Sequence, residues 1–141
     1  MLFIIDSCEF IFGIGSREDT AKSLLDALFI KATPHSARIP RTVFKEVKRN
    51  LSPEAFREFI LLLVKANVAI DEDELVPFEI GLKYEAQGLK LSDAFIAAYA
   101  EWTGAEALVT ENRHFLSRSA KLPFKVLTAS QCLKFIRASR R

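Results

Sequence analysis

The chain opens with Met1-Leu2-Phe3-Ile4-Ile5-Asp6, in which four strand-type apolar residues run directly into a carboxylate. A short apolar run without polar alternation is typical of a strand that is buried on both faces. Similar short runs predict four further strands, at residues 36–39, 68–70, 107–110 and 125–127. Helix-period segments separate these runs, and this alternation predicts an α/β fold with a mostly parallel, doubly wound sheet.

The segments between the predicted strands carry helix start and stop signals. A loop containing Gly13 and Gly15 is expected after the first strand, with Ser16 capping the helix that follows it. Ser52-Pro53-Glu54 predicts another start, because proline suits the first helical position and an acid suits the positive helix end. A helix is also expected directly after Pro40. Further helices are predicted at about 74–87, 94–103 and 130–138.

Length and composition restrict the class of protein. A chain of 141 residues predicts one domain spanning 1–141. Hydrophobic residues make up 50% and charged residues 27%, which indicates a globular rather than a disordered chain. Lys and Arg number 20 against 18 Asp and Glu, so the net charge is +2. This balance excludes a polycation that coats nucleic acid by charge alone, but it is compatible with a local basic rim.

The cysteines and the apolar runs indicate where such a chain works. Cys8 and Cys132 do not form a C-x-x-C pair, so two free thiols in a reducing, cytoplasmic compartment are expected. The start of the chain lacks a basic region, which argues against a secretory signal. No uncharged apolar run approaches the roughly 18 residues of a membrane span, so no membrane association is expected.

Four polar residues lie at the ends of apolar runs, where α/β folds place their sites. Asp6 closes the first strand, and Glu46 lies on the helix after the second. Asp93 begins the helix that leads into the fourth strand, and Asn112 follows that strand. Right-handed crossovers make the first and fourth strands neighbours, so the four residues are expected to converge on one cleft. Taken singly, each carboxylate is also consistent with a helix cap or a solvated charge.

Converging carboxylates favour a particular chemistry. They repel one another unless a cation offsets their charge, and Mg²⁺ or Mn²⁺ prefers oxygen ligands. Such a cation activates water and stabilises charge at a phosphate oxygen. A haloacid-dehalogenase-like phosphatase is excluded because Cys8 stands where its D-x-D motif needs a second acid. The acidic pair and late lysine of a receiver domain are also missing. Gly13-Ile14-Gly15 lacks the third glycine of a nucleotide loop.

Two segments carry a resemblance to a known family. Leu91-Ser92-Asp93-Ala94-Phe95-Ile96-Ala97-Ala98 resembles the third acidic motif of PIN domain proteins. Leu108-Val109-Thr110-Glu111-Asn112-Arg113-His114-Phe115 resembles their T-x-N/D-x-x-F motif, at the same distance. Residues 1–7 and 40–46 resemble the other motifs, so the resemblance covers essentially the whole chain. It implies a three-layer α/β/α fold with a five-stranded parallel sheet of order 3-2-1-4-5.

The resemblance also implies an activity and partners. Many PIN domain proteins are Mg²⁺- or Mn²⁺-dependent ribonucleases, and many small prokaryotic ones are VapC-type toxins that an antitoxin holds inactive. Related proteins commonly form homodimers. The leading prediction is therefore an endoribonuclease that hydrolyses RNA phosphodiesters, with an antitoxin as a partner. The alternative is a catalytically weak or inactive PIN-like module that binds RNA or protein.

The family's site is carried over residue by residue. Asp6, Glu46 and Asp93 match the three acids that bind the metal. Asn112 stands where the family often has Asp, although Asn is also found there, and it is expected to act as a neutral ligand or as an amide that orients water. This departure favours the non-catalytic alternative. Glu111, one position earlier, is expected to point elsewhere if the strand continues through it. Two residues match supporting positions beside the acids: Ser7 and Thr110.

Basic and aromatic side chains extend the predicted site. Four cations could form a rim for RNA phosphates, although a solvated face is the alternative for those on the Glu46 helix: Lys45, Arg49, Lys90 and Arg113. Phe10 and Phe12 lie close to Asp6 in sequence and are candidates for a partner groove. His114 occupies a variable position of the resembled motif and is expected at the surface.

Overall fold

The computed structural model describes residues 1–31, 33–118 and 121–138. Their strands form one parallel sheet in the order β3-β2-β1-β4-β5, with helices flanking it. The strands are β1 Leu2–Ile5, β2 Ser36–Pro40, β3 Ala69–Asp71, β4 Ala107–Val109 and β5 Lys125–Leu127. The predicted strand order and α/β class are confirmed.

The apolar run that opens the chain forms the central strand of this sheet. Phe3 pairs with Ala37 of β2 on one side and with Ala107 of β4 on the other. Phe3, Ile4 and Ile5 are fully buried, as expected for a strand covered on both faces. Because β1 and β4 are hydrogen-bonded neighbours, the residues that follow their carboxyl ends lie next to each other at the sheet edge.

Helices connect the strands throughout the described ranges. The α-helices are α1 Ser7–Phe10, α2 Asp19–Leu25, α3 Arg41–Asn50, α4 Pro53–Lys65, α5 Phe78–Ala86, α6 Leu91–Thr103, α7 Arg113–Leu116 and α8 Ala129–Ala138. The described ranges also contain two π-helical turns, Ile11–Gly15 and Asp26–Ile30, and a 3-10 turn, Asp73–Leu75. Within the described ranges, no helix combines the length and the apolarity that crossing a bilayer requires.

The loop predicted around Gly13 and Gly15 is wrong, because this segment continues α1 as a π-helical turn. A Cβ at Gly13 would lie 2.7 Å from Leu25 Cδ1 and 3.1 Å from the backbone carbon of Ala21. The glycine therefore permits close packing of the turn on α2 rather than a change of chain direction. The predicted Ser16 cap is also wrong, since the Glu18 carboxylate caps α2.

Helix α6 begins earlier than its sequence signal suggested. Lys90 is its N-cap residue, so Asp93 lies in the first turn and does not cap the helix. Gly104 ends α6 in the left-handed region at φ 69°, as predicted. The helix predicted over 74–87 is interrupted before α5 at Pro77, which precedes the first α5 residue.

A partly buried ion pair ties α6 to the sheet. The Arg38 guanidinium donates two hydrogen bonds, of 2.9 and 2.7 Å, to the Asp71 carboxylate. The Tyr99 hydroxyl, on α6, donates to the same carboxylate at 2.6 Å. Since Arg38 is on β2 and Asp71 on β3, this network fixes α6, and hence Asp93, against the far side of the sheet.

Candidate active site at the carboxyl edge of the sheet

Asp6 is held rigidly where β1 ends. Its backbone N–H donates to the Val109 carbonyl at 3.0 Å, which ties it to β4. Its side chain caps α1, since the Ser7 N–H donates to Oδ1 at 2.8 Å. The buried Thr110 hydroxyl donates to Oδ2 at 2.7 Å. Ser7 and Thr110 therefore both contact Asp6, Ser7 through its backbone rather than its hydroxyl.

The three predicted acids line one cleft of about 550 Å³, within the roughly 300–1,000 Å³ typical of ligand sites. Asp6 comes from the end of β1, Glu46 from α3 and Asp93 from the first turn of α6. The full lining is Asp6, Ser7, Cys8, Phe12, Thr42, Glu46, Arg49, Ser92, Asp93, Ile96, Glu111 and Asn112. The polar ends of separate strands and helices thus converge as expected for this fold class.

The charges in the cleft act on one another. Burial raises the pKa of Asp6, the hydrogen bonds from Thr110 and Ser7 lower it, and the charges of Glu46 and Asp93 raise it further. The net direction is upward, so the ionised form of Asp6 is disfavoured without a compensating positive charge.

Asn112 bridges the fourth strand and the cleft. Its Oδ1 accepts the His114 N–H at 2.9 Å and so caps α7. Its Nδ2 donates to Asp93 Oδ1 at 3.2 Å, and its backbone N–H donates to the Thr110 hydroxyl at 3.0 Å. The Asn112 side chain thus turns its Nδ2 donor, rather than its Oδ1, toward the acids. This arrangement favours an orienting role for Asn112 over a role as a ligand through Oδ1.

Glu111 is a cleft residue that the sequence reasoning placed elsewhere. The strand β4 ends at Val109, so strand alternation no longer governs the direction of the Glu111 side chain. Glu111 lines the cleft, and its Oε2 accepts the Ala129 N–H at the start of α8, at 3.0 Å. The condition for the expectation that Glu111 points elsewhere, a strand continuing through it, is therefore not met.

Glu9 is a second acid that sequence reasoning missed. It is fully buried on α1, and its Oε1 accepts a 3.6 Å hydrogen bond from the Cys8 thiol. Among the described residues no donor reaches Oε2. Burial, and then the neighbouring Glu111 carboxyl, raise the pKa of Glu9 to about 9. Burial and the neighbouring Glu111 carboxyl therefore both favour the protonated form of Glu9.

The predicted rim cations differ in position. Arg49 lines the cleft, whereas Lys45, Lys90 and Arg113 are exposed. Lys45 precedes Glu46 on α3, and Arg113 follows Asn112, so these two lie next to cleft residues in sequence. The arrangement brings one cation into the cleft and leaves the others on the surface.

Several weaker expectations are also settled. Phe10 is fully buried and packs edge-on against Phe59, with ring centroids 4.9 Å apart, so its role in a partner groove is wrong. Phe12 is exposed and lines the cleft. His114 is exposed, as predicted. Cys8 and Cys132 are free thiols, and burial, then the nearby Asp6 charge, raise the pKa of Cys8 to about 12. A thiol with this pKa is a poor nucleophile at neutral pH.

The donors in the cleft fit a hard divalent cation. Within the described ranges, no group of three or more His, Cys, Asp or Glu side chains is drawn together closely enough to hold an ion as it stands. The three carboxylates nevertheless face one cleft, and the upward pKa shift of Asp6 comes partly from the other two. Oxygen donors that repel one another in this way are the ligand type Mg²⁺ and Mn²⁺ prefer.

Comparison with known proteins identifies the family. A profile of the PIN domain matches residues 3–121. Because this match covers most of the chain, the protein belongs to the PIN domain family, and the resemblance noted from its motifs is confirmed. No curated protein matches the sequence significantly.

Two solved structures have a similar fold. One is VapBC2 from Rickettsia felis bound to a DNA fragment from their promoter, at TM-score 0.63 and 18% identity, covering 91% of this chain and 98% of that chain. The other is a toxin–antitoxin complex from Klebsiella pneumoniae, at TM-score 0.64 and 23% identity. This match covers 89% of the present chain and 96% of the chain in that complex. At these identities the likeness establishes the fold.

Proposed function

We propose that this PIN domain protein is a divalent-metal-dependent endoribonuclease that hydrolyses RNA phosphodiesters, and that it is the toxin of a toxin–antitoxin pair. The observation that carries the proposal is the convergence of Asp6, Glu46 and Asp93 on one cleft at the carboxyl edge of the sheet. The raised pKa of Asp6, caused first by burial and only then by the charges of Glu46 and Asp93, supports it, because a bound cation would favour the ionised carboxylate.

Each cleft residue has a role in this proposal. Asp6, Glu46 and Asp93 would hold Mg²⁺ or Mn²⁺, which supplies an activated water and offsets the charge that develops on the phosphate. Thr110 fixes Asp6 through its 2.7 Å hydrogen bond. The Asn112 amide fixes Asp93 through Nδ2. These positioning contacts limit the motion of two of the three proposed ligands.

The proposed substrate contacts are electrostatic. Arg49 lines the cleft and is placed to pair with a phosphate beside the acids. Lys45, Lys90 and Arg113 are exposed and would contact the flanking backbone. This division predicts that loss of Arg49 reduces cleavage, whereas loss of any one outer cation mainly changes the salt dependence of RNA binding.

The proposed partners are an antitoxin and a second copy of this chain. The two similar solved structures come from a VapBC2 assembly and a toxin–antitoxin complex, which supports an antitoxin partner. A homodimer is supported by three exposed apolar side chains that line one cavity of the surface: Phe78, Leu82 and Leu91. Light scattering of the purified chain tests the dimer. The cytoplasmic location stays a prediction.

Cleavage of single-stranded RNA tests the proposed activity. Wild-type protein should cleave in Mn²⁺ and not in excess EDTA. Asp6→Asn and Asp93→Asn should each abolish cleavage, whereas Asp19→Asn, at an exposed acid on α2, is the matched control and should cleave normally. Robust cleavage in EDTA, or full activity of either cleft variant, would contradict the mechanism.

A second candidate function is a non-catalytic module that binds RNA or protein. The observation that favours it is Asn112, which leaves the cleft with a neutral amide hydrogen-bonded to Asp93. Calorimetric titration with Mn²⁺ distinguishes the two. A cleft that takes up no metal, in a chain that still binds RNA or a protein, would support the module.

A further inference from the structure

Phe12 presents an aromatic ring to the proposed catalytic cleft. Its side chain is 41% exposed and lines the same cleft as Asp6 and Glu46. Within the described part of the chain, its ring makes no stacked or edge contact with another aromatic ring. Phe10, two residues earlier, is fully buried. The part of this ring that stays exposed in the folded chain is available for a bound molecule to cover.

The backbone under Phe12 is held in place. The π-helical turn Ile11–Gly15 is closed by the Ser16 N–H, which donates to the Ile11 carbonyl at 3.2 Å. The Phe12 carbonyl accepts the Glu18 N–H at 2.8 Å. Gly13, the next residue, packs directly against α2. A ring on such a fixed backbone loses little conformational entropy when it binds a flat partner.

Resting on the proposed ribonuclease function, we propose that Phe12 is a stacking platform for an unpaired nucleobase of the RNA beside the phosphate that is cut. The cleft joins one exposed ring with one cation, Arg49, and with the acids. A nucleotide offers the matching pair, a flat π face and a phosphate. In a duplex both faces of a base are already stacked, so this platform selects single-stranded RNA.

The competing occupant is an apolar side chain of a partner protein. Such a side chain would fill the space over Phe12 but would leave the Arg49 guanidinium without an anion. The nucleotide matches both features of the cleft and is the occupant that the observations favour.

Three variants test the platform. Phe12→Leu keeps an apolar side chain but removes the aromatic ring, whereas Phe12→Tyr keeps an aromatic ring. Val64→Ala trims an exposed apolar side chain of α4 that is not part of the cleft lining, and it is the matched control. Thermal melting checks that each variant folds. Binding is measured with a single-stranded oligoribonucleotide carrying 2-aminopurine, whose fluorescence is quenched on stacking, and KM and kcat are measured on the unlabelled strand.

Phe12→Leu should bind the strand with roughly 5- to 100-fold lower affinity, which is the range for the loss of one stacked base. The loss should appear mainly as a higher KM. Phe12→Tyr and Val64→Ala should stay within about twofold of wild type, because both keep the platform. Oligoribonucleotides that each lack one base complete a double-mutant cycle with Phe12→Leu. At one position of the strand, the abasic nucleotide should weaken binding to the wild type as much as Phe12→Leu weakens binding of the intact strand. When the two changes are combined, the two losses of affinity should not add.

Other outcomes separate the inference from the activity on which it rests. Unchanged affinity, KM and base dependence in Phe12→Leu would overturn the platform even if cleavage is metal-dependent. A loss confined to binding of a partner protein would overturn it in favour of the protein contact. Quenching that depends on Phe12 in a wild type that cleaves no RNA would support the platform and refute the proposed ribonuclease activity.

Discussion

Replacing Glu9 with glutamine should stabilise the fold increasingly as the pH rises. Glu9 is fully buried, and its pKa is raised from 4.5 to about 9. Below pH 4.5 the carboxyl is protonated in the folded and unfolded chain alike, so it adds no pH dependence. Between 4.5 and 9 only the folded chain keeps the proton, so stability falls as the pH rises through this window, and it levels off above it.

The size of the effect follows from this shift. Each pH unit above 4.5 costs the wild type about 1.4 kcal/mol, which gives about 3 kcal/mol at pH 7. The glutamine amide is close to the shape of the protonated acid and does not titrate. Glu9→Gln should therefore match wild type near pH 4.5 and exceed it by about 3 kcal/mol at neutral pH.

Urea unfolding in EDTA, from pH 5 to pH 9, measures this difference. Asp6 is present in both proteins. Glu58→Gln is the matched control, since Glu58 is exposed and accepts its hydrogen bonds from the Arg17 guanidinium. Parallel stability curves for wild type and Glu9→Gln across this range would show that Glu9 takes up no proton on folding and would refute the reasoning.

Three further predictions concern the cleft and its support. Asp6→Asn should leave the metal-free melting temperature equal or higher, because burial and then the like charges disfavour its ionised form; a fall of several degrees in calorimetry would mean that the bonds from Ser7 and Thr110 to the ionised carboxylate outweigh this cost. Asn112→Asp replaces an amide donor 3.2 Å from Asp93 by a like charge, so it should lower metal-free stability by about 1–3 kcal/mol and tighten Mn²⁺ binding, both checked on one sample by calorimetry. Gly13→Ala should cost about 1–3 kcal/mol in urea unfolding, because its methyl group meets Leu25 and the α2 backbone; a neutral result would mean that the π-helical turn yields freely.

Much of the site follows from the positions of residues relative to strands. In a parallel sheet with right-handed crossovers, the carboxyl ends of neighbouring strands meet at one edge. Asp6 after β1 and Asn112 after β4 were therefore expected together, and the structure brings both to the cleft with Glu46 and Asp93. Their roles in catalysis remain a proposal. The sequence pattern could predict which residues lie together at the edge of the sheet, because this depends on strand order.

Side-chain direction outside regular structure was not predictable in this way. The expectation for Glu111 did not apply, because β4 ends two residues before it and after a strand ends its alternation no longer sets the side-chain direction. The Asn112 amide could serve either as ligand or as donor until its Oδ1 was found on the His114 N–H. A local bond decided the case of Asn112, and a bond to the start of α8 holds Glu111.

The sequence by itself determined the strands, their order and the family, because buried strands and motif spacing are local patterns repeated along the chain. Only the tertiary structure decided that Glu9 is a buried acid beside Glu111, that Gly13 serves packing, and that Phe10 is buried while Phe12 faces the cleft. The physical reason is that burial, pKa and ring exposure depend on which distant segments cover a residue. An acid in the first helix becomes a proton-holding group only when α1 packs with the segment that follows β4.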